Sequence, residues 1–495
     1  MACRGLNHTE VFALLSDCEY VCRKMRKMKR VLIITYYWPP TAGSGVQRWL
    51  KMSKYLPQHG WQPIIYTPSN PEAGMTDESL LRDVCPEAEI IKRPILEPYA
   101  IFNALTGSKG AKKSGQNDGS GKQAGPGAVN PINAVGRKSP MMRLSLWLRA
   151  NVFVPDPRCL WIRPSVRFLE KYLREHPVDA IVSTGPPHSM HLIARALHRS
   201  TGIPWTADFR DPWTRIFYFK HLPLTRRSRK RYAAMELSVL READRVVAVT
   251  DSMVRDFLEE LGGQREKSEA GKAGSLEKSC GKFHVIENGY DEDDFAGITA
   301  AQLPEGFNLV HTGLFSAEGN PRKLWKILAE LCRENPDFNR GLHLTFAGKT
   351  DPEILAAVRK AGLGDHLTDR GYIPHHEANS LQKAADLLLL PLREEPEATG
   401  ILTGKYFEYL AAGRPIAAFG PHGSVLEQSL AATRTGEIFD WDEEAPLKAY
   451  ITALYTRTLA FEPNTEAISA YTRRSLAGRY AALLDTTGRG SRRSS

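Results

Sequence analysis

The sequence predicts an α/β fold built from two doubly wound parallel-sheet halves, one after the other along the chain. Three observations lead there. At 495 residues the chain is too long for one ordinary hydrophobic core. Short β-rich runs alternate with helical patterns, which is the signature of successive βαβ units. That alternation ends near residue 290 and restarts at Asn308.

In the first half, 31–35 reads as a strand that ends in a Pro/Gly loop. A helical pattern follows over 46–56, then a strand over 62–66. Further strands are predicted at 89–92, 180–183, 205–208, 245–249 and 284–287, with helices at 164–175 and 189–200 among them. In the second half, strands are predicted at 308–313, 342–347, 367–371, 387–390 and 416–419, again separated by helical patterns. The join falls in 295–306. This gives an N-terminal domain over 28–300 and a C-terminal domain over 301–460, each Rossmann-like. A helix at 461–487 closes the folded part. Low-complexity inserts occupy 105–139 and 261–282, and 488–495 reads as a disordered tail.

Hydrophobic residues make up 42% and charged residues 25%, as in soluble globular proteins. Apolar runs such as Leu387 to Leu390 fall far short of the roughly 18 residues that span a bilayer. Residues 1–27 lack the order of a secretory signal, because the cations of Arg23 to Arg30 follow the apolar stretch. They read as an extension, with a natural start at Met28. The seven cysteines show no metal-ligand spacing, so a reducing cytoplasm is expected. A net charge of +10 favours anionic partners such as nucleotides and phospholipids. Nucleic acid is not expected, since no helix-turn-helix, zinc module or aromatic RNA-binding strand accompanies the charge.

The most informative stretch is Thr403-Gly404-Lys405, with Glu408 one turn further and a hard stop at Gly413 and Pro415. A Gly-Lys turn opening a helix offers N–H groups and a positive dipole end to an anion such as a diphosphate. The following carboxylate can accept from a pair of sugar hydroxyls. The loop Tyr36 to Trp49 carries Gly43 and Gly45 ahead of a helix, without the Gly-Lys-Ser/Thr close of a P-loop. Ser183-Thr184-Gly185-Pro186-Pro187-His188 places His188 where a parallel strand ends, and Asp208-Phe209-Arg210-Asp211 lies at the next strand end. Open α/β sheets bind ligands at that edge. Gly313 ends a further strand, with Arg322 and Lys323 at the start of the next helix, and Gly371 to Pro374, including Ile373, forms another strand exit.

The order of these motifs resembles the family 4 glycosyltransferases of GT-B fold, in particular a bacterial subgroup that builds surface polysaccharide. The resemblance covers roughly 28–440 outside the inserts. It implies two Rossmann-like domains facing across a cleft, with the late helix crossing back to the first domain. It implies retaining transfer from a nucleotide-diphosphate sugar to a glycan or lipid-linked acceptor. His188, Asp208 and Arg210 would be catalytic. Gly43, Gly45, Gly313, Arg322, Lys323, Ile373, Thr403, Gly404, Lys405 and Glu408 would bind the donor. No metal and no cofactor besides the donor substrate are expected. The sequence departs from the family pattern twice: Leu314 stands where an Arg is usual, and Gly400 stands where the first of two Glu is usual. Residues 141–149 mix cations with apolar groups and 226–231 are a dense basic run; both fit peripheral contact with an anionic membrane, at the inner face of the cell membrane. A GT-B epimerase, or a non-catalytic scaffold of an envelope-assembly complex, are the other readings.

Overall fold

The computed structural model of the chain describes residues 28–72, 76–97, 140–263 and 281–490. The extension at 1–27 and the insert at 105–139 lie outside the described residues, as do most of the insert at 261–282 and the end of the tail, 491–495. The described residues form two compact units. One holds residues up to Val247, 281–284 and 477–490; the other holds 248–263 and 285–476. The join placed at 300/301 thus falls inside the second unit.

The first unit carries β1 (Lys29–Ile34), β2 (Trp61–Pro68), β3 (Glu89–Arg93), β4 (Ala180–Gly185), β5 (Trp205–Phe209), β6 (Arg245–Ala248) and β7 (Phe283–Val285). Their order in the sheet is β3-β2-β1-β4-β5-β6-β7. The pairs β1–β2, β1–β4, β2–β3 and β4–β5 run parallel. Val31 to Ile34 are wholly buried, since a parallel strand is covered on both faces. The order reverses between β1 and β4, so the loops after these two strands flank the place where such sheets bind ligands. Asp156 sets the start of the helix Ser189–Thr201 by accepting from the Ser189 N–H and hydroxyl, both at 2.8 Å. From Ala477 the last helix belongs to this unit, where Tyr480 packs edge-on to Trp49 at 5.0 Å.

The second unit carries β8 (Phe307–Phe315), β9 (Leu342–Thr350), β10 (Leu367–Asp369), β11 (Leu387–Pro391), β12 (Ile416–Phe419) and β13 (Gly436–Phe439). The order is β10-β9-β8-β11-β12-β13, with every neighbouring pair parallel. Leu387 and Leu389 enter the core on one face with Trp325, while Leu388 and Leu390 enter the other with Tyr406 and Tyr409. That is why Leu387 to Leu390 reads as an unbroken apolar run. The switch point here lies between β8 and β11, beside Gly313 near the end of β8 and the segment that leads to Glu408.

Two elements differ from the sequence expectation. β13 is not among the expected strands, because Gly436-Glu437-Ile438-Phe439 has only two apolar residues and no alternation to mark it. The single helix expected over 461–487 is two, Thr465–Ser469 and Arg473–Gly490. The chain between them bonds to Tyr290 instead of continuing the helix: the Tyr290 N–H donates to Tyr471 O at 3.0 Å and Arg473 N–H to Tyr290 O at 2.7 Å.

Candidate functional site

In the first unit, the ends of β1, β4 and β5 are sewn together around one buried ion pair. Arg48, in the helix Ser44–Tyr55, sends Nη2 to Asp208 Oδ1 at 2.7 Å. Asp208 Oδ2 accepts from Trp49 Nε1 at 2.8 Å and from the Thr184 hydroxyl at 2.9 Å. Burial pushes the Asp208 carboxyl up, but the Arg48 charge and these bonds outweigh it and hold the carboxyl below its usual range. Arg210 donates to three carbonyls: Nη1 to Gly45 O at 2.5 Å, its backbone N–H to Gly185 O at 2.9 Å, and Nη2 to Pro186 O. It therefore ties the glycine-rich turn after β1 to the turn after β4. Gly45 has no room for a Cβ, which would stand 2.8 Å from the Tyr37 ring. Gly43 has φ of 111°, open to glycine and to few other residues.

His188 lies just beyond β4, stacked on Trp213 at 4.4 Å with rings 6° from parallel. It is 7% exposed. Burial, then His191 and Arg210, pushes its pKa well below the usual value. His191, three residues on, is wholly buried, and burial drives it to about 3 against the opposing pull of Asp208. His188 Nδ1, His191 Nε2 and Trp213 Nε1 are all buried without a hydrogen-bond partner among the described residues. Natively folded chains seldom leave such atoms idle, so these three are available to a polar ligand or to water.

In the second unit, the helix Gly404–Ala412 starts at Thr403, whose hydroxyl accepts from the Tyr406 N–H at 3.4 Å. It ends at Gly413 in the left-handed region, φ 65°, as the Gly413/Pro415 stop predicts. Lys405 and Glu408, three apart, share one face of this helix, and Lys405 Nζ donates to Glu408 Oε2. Gln382, wholly buried, donates to the same oxygen at 3.3 Å and to the Thr312 hydroxyl at 2.8 Å. His375 Nε2 stands 3.9 Å from Glu408 Oε1. Burial raises the Glu408 pKa, yet Lys405 first and His375 second bring it down to about 2, so it is an anion at neutral pH. The Lys405 stem lies across Gly313: a Cβ there would stand 2.8 Å from Lys405 Cε. Gly348 packs on Gly313 so closely that a Cβ on it would collide with the Gly313 carbonyl oxygen. The result is a bare backbone floor with a cation and an anion above it.

Residues 117–270 match the glycosyl transferase 4-like domain family. The chain is 24% identical over 281 residues to a 2-deoxystreptamine glucosyltransferase of Streptomyces kanamyceticus, a match covering 53% of this chain and 65% of that protein. It is 22% identical over 215 residues to a protein of Bacillus subtilis (strain 168) provisionally named teichuronic acid biosynthesis glycosyltransferase TuaH, covering 42% and 48% of the two chains. The matches thus span between about half and two thirds of these relatives' length. The family model and both relatives support a glycosyltransferase resembling family 4. Its fold is GT-B: an alpha,alpha-trehalose-phosphate synthase (UDP-forming) from Burkholderia vietnamiensis superposes with a TM-score of 0.56 at 10% identity, over 94% of this chain and all of that one.

The structure sorts the residues expected at the site. It gathers Gly313, Thr403, Gly404, Lys405 and Glu408, and it places Ile373 in the loop before His375, packed against the same core. It gathers Gly45, His188, Asp208 and Arg210 in the other unit. Two roles change. Asp208 has no exposure and both oxygens are bonded, so it holds the site's walls and is not positioned to touch a substrate. Arg210 is likewise spent on loop carbonyls. Arg322 and Lys323 do not sit free as a diphosphate clamp: Arg322 pairs with Glu353 at 2.8 Å and Lys323 with Glu444. His191, Trp213, Gln382 and His375 are not among the residues expected from sequence. Only the i, i+3 spacing of His188 and His191 carries a signal there; Gln382 is recruited by tertiary contact alone.

Proposed function

We propose that the chain transfers a sugar from a nucleotide-diphosphate donor to an acceptor hydroxyl with retention of configuration. The Lys405–Glu408 pair over the Gly313 floor carries this proposal. Glu408, kept ionised, accepts from the two ribose hydroxyls of the donor. Lys405 and the N–H groups that open its helix receive the diphosphate. In retaining transfer by a front-face route, the leaving diphosphate itself takes the acceptor proton, so the site's main task is to stabilise charge developing on that group. Lys405 is the cation in place for it. His188, neutral and half-caged by Trp213, orients a sugar or acceptor oxygen. No step calls for a metal.

The acceptor proposed is a glycan or lipid-linked hydroxyl, in line with the teichuronic acid biosynthesis named for the Bacillus relative. A surface of apolar and cationic side chains supports this. The helix Pro140–Asn151 exposes Leu144 and Trp147. Asn151 bonds it to the chain before the helix Arg226–Glu242, donating to Pro223 O at 2.9 Å and accepting from Thr225 N–H at 2.8 Å. That helix begins with exposed Arg226, Arg227, Arg229, Lys230 and Arg231. No helix among the described residues is long and apolar enough to cross a membrane. Apolar anchors beside a dense cationic row fit the surface of an anionic bilayer.

The test is thermal stability with UDP, GDP, ADP, TDP and CMP, in wild type and Glu408→Ala. A nucleotide at about 100 times its Kd adds roughly 2.7 kcal/mol. One nucleotide should stabilise wild type and not the variant. Stabilisation by none would remove the donor site and favour a scaffold.

A further inference from the structure

Ser183 lies wholly buried on β4. Its hydroxyl accepts from Trp205 Nε1 at 2.9 Å and stands 2.8 Å from His191 Nδ1. An indole N–H can only donate. Were His191 also protonated at Nδ1, two donors would face Ser183 Oγ and its own proton would find no acceptor among the described residues. A buried hydroxyl left in that state is unfavourable. Ser183 therefore donates to Nδ1, and a neutral His191 carries its proton on Nε2.

That Nε2–H has no protein partner among the described residues. It lies 2.5 Å from where a Cβ on Gly185 would be, and the unpartnered His188 Nδ1 lies 3.0 Å from the same point. Only glycine at 185 lets the two rings come this close. With the ring centroids 5.8 Å apart, an N–H dipole on His191 Nε2 favours a lone pair on His188 Nδ1 and disfavours a second N–H there. His188 then holds its proton on Nε2, while the Trp213 stack fixes its ring plane. The charged groups facing the pair are Asp208 and Arg210, both from the end of β5.

We propose that His191 is a positioning residue: the chain Trp205–Ser183–His191 makes His188 present Nε2–H as a hydrogen-bond donor to a ligand oxygen, and not a lone pair as a base. The nature of that oxygen, a sugar hydroxyl or ring oxygen, rests on the glycosyl-transfer reading; the relay does not.

The test is the tautomer of each ring, read by long-range proton–nitrogen correlation on the ligand-free full chain with 15N-labelled histidine at pH 7. His188 and His191 should both show protonated Nε2. His191→Phe should move His188 to a mixture of tautomers, and His191→Gln, whose amide donates in place of Nε2–H, should restore it. Should His191→Phe not fold, Ser183→Ala removes the same lock. A wild-type His188 protonated at Nδ1 or at both nitrogens overturns the proposal, as does a His188 tautomer that neither His191→Phe nor Ser183→Ala changes. With a donor in hand, His191→Phe should lower kcat about tenfold with the donor KM unchanged. If folded wild type turns over no nucleotide sugar, the transfer reading falls while the tautomers still decide the relay.

Discussion

Arg48 and Asp208 meet at 2.7 Å with side chains 1% and 0% exposed. Breaking such a pair from one side strands a charge in the core, at about 3–5 kcal/mol. Asp208→Asn should therefore lower the stability read from urea unfolding by that amount, while Arg48→Met with Asp208→Leu should recover most of it. The sign with pH follows from the lowered carboxyl pKa. The pair's contribution is present above the unfolded carboxyl value and is lost as pH falls through the folded one. An Asp208→Asn protein as stable as wild type but inactive would restore a catalytic role.

Lys405 and Arg322 separate two versions of the diphosphate clamp. Arg322 is 73% exposed and paired with Glu353, also largely exposed; such pairs contribute about 0–1 kcal/mol and are screened by salt. Lys405 is bound into the Gly313–Glu408 cluster. Lys405→Ala should weaken nucleoside diphosphate binding at least about tenfold in titration calorimetry. Arg322→Ala should change it less than about twofold, as expected of a screened surface charge. The reverse order would return the clamp to Arg322.

Glu408 sets a second pH window. Its folded pKa is about 2 against an ordinary 4.5, so its share of stability is full above pH 4.5 and is lost as pH falls towards 2. The stability gap between wild type and Glu408→Gln should stay constant from about pH 8 to 5 and shrink below that. Urea titrations across that range measure it; a gap that changes near neutral pH would mean Glu408 is not held as an anion.

The fold was legible because parallel strands buried on both faces write apolar runs, as at Val31 to Ile34 and Leu387 to Leu390. β13 was illegible because Glu437 and Gly436 leave it no such run. At the site, Thr403, Lys405 and Glu408 could be read because one short helix with its own start and stop signals carries all three. The partners of Arg322 and Asp208 could not. Glu353 lies 31 residues away and Arg48 lies 160 away, so only the folded chain shows that these charges are already paired. Charge pairing over such distances leaves no periodicity to find.

The cationic and apolar face makes its own demand. Pelleting with vesicles rich in anionic lipid should fall sharply for Trp147→Ser combined with Arg226→Glu and Arg227→Glu, all at exposed positions, and should weaken with salt in wild type. Neutral vesicles should bind little. Equal binding to neutral and anionic vesicles, or none to either, would remove the membrane from the proposal.

Gly400 stands where the family places a Glu, and the structure gives a reason. A Cβ there would lie 2.8 Å from Ser252 Oγ and 3.1 Å from Ser252 Cβ. Ser252 belongs to the helix Asp251–Gly263, which packs on this turn in the second unit. The first carbon of any side chain at 400 thus meets another part of the chain. Gly400→Glu should therefore not add a donor contact; it should cost about 1–3 kcal/mol through overpacking. Ser252→Gly should relieve much of that cost in the double variant, because the obstruction is Ser252 itself. Thermal denaturation of the three variants tests this. A Gly400→Glu protein as stable as wild type, with a lower donor KM, would show that the turn can reopen and that the family contact was merely lost from the sequence.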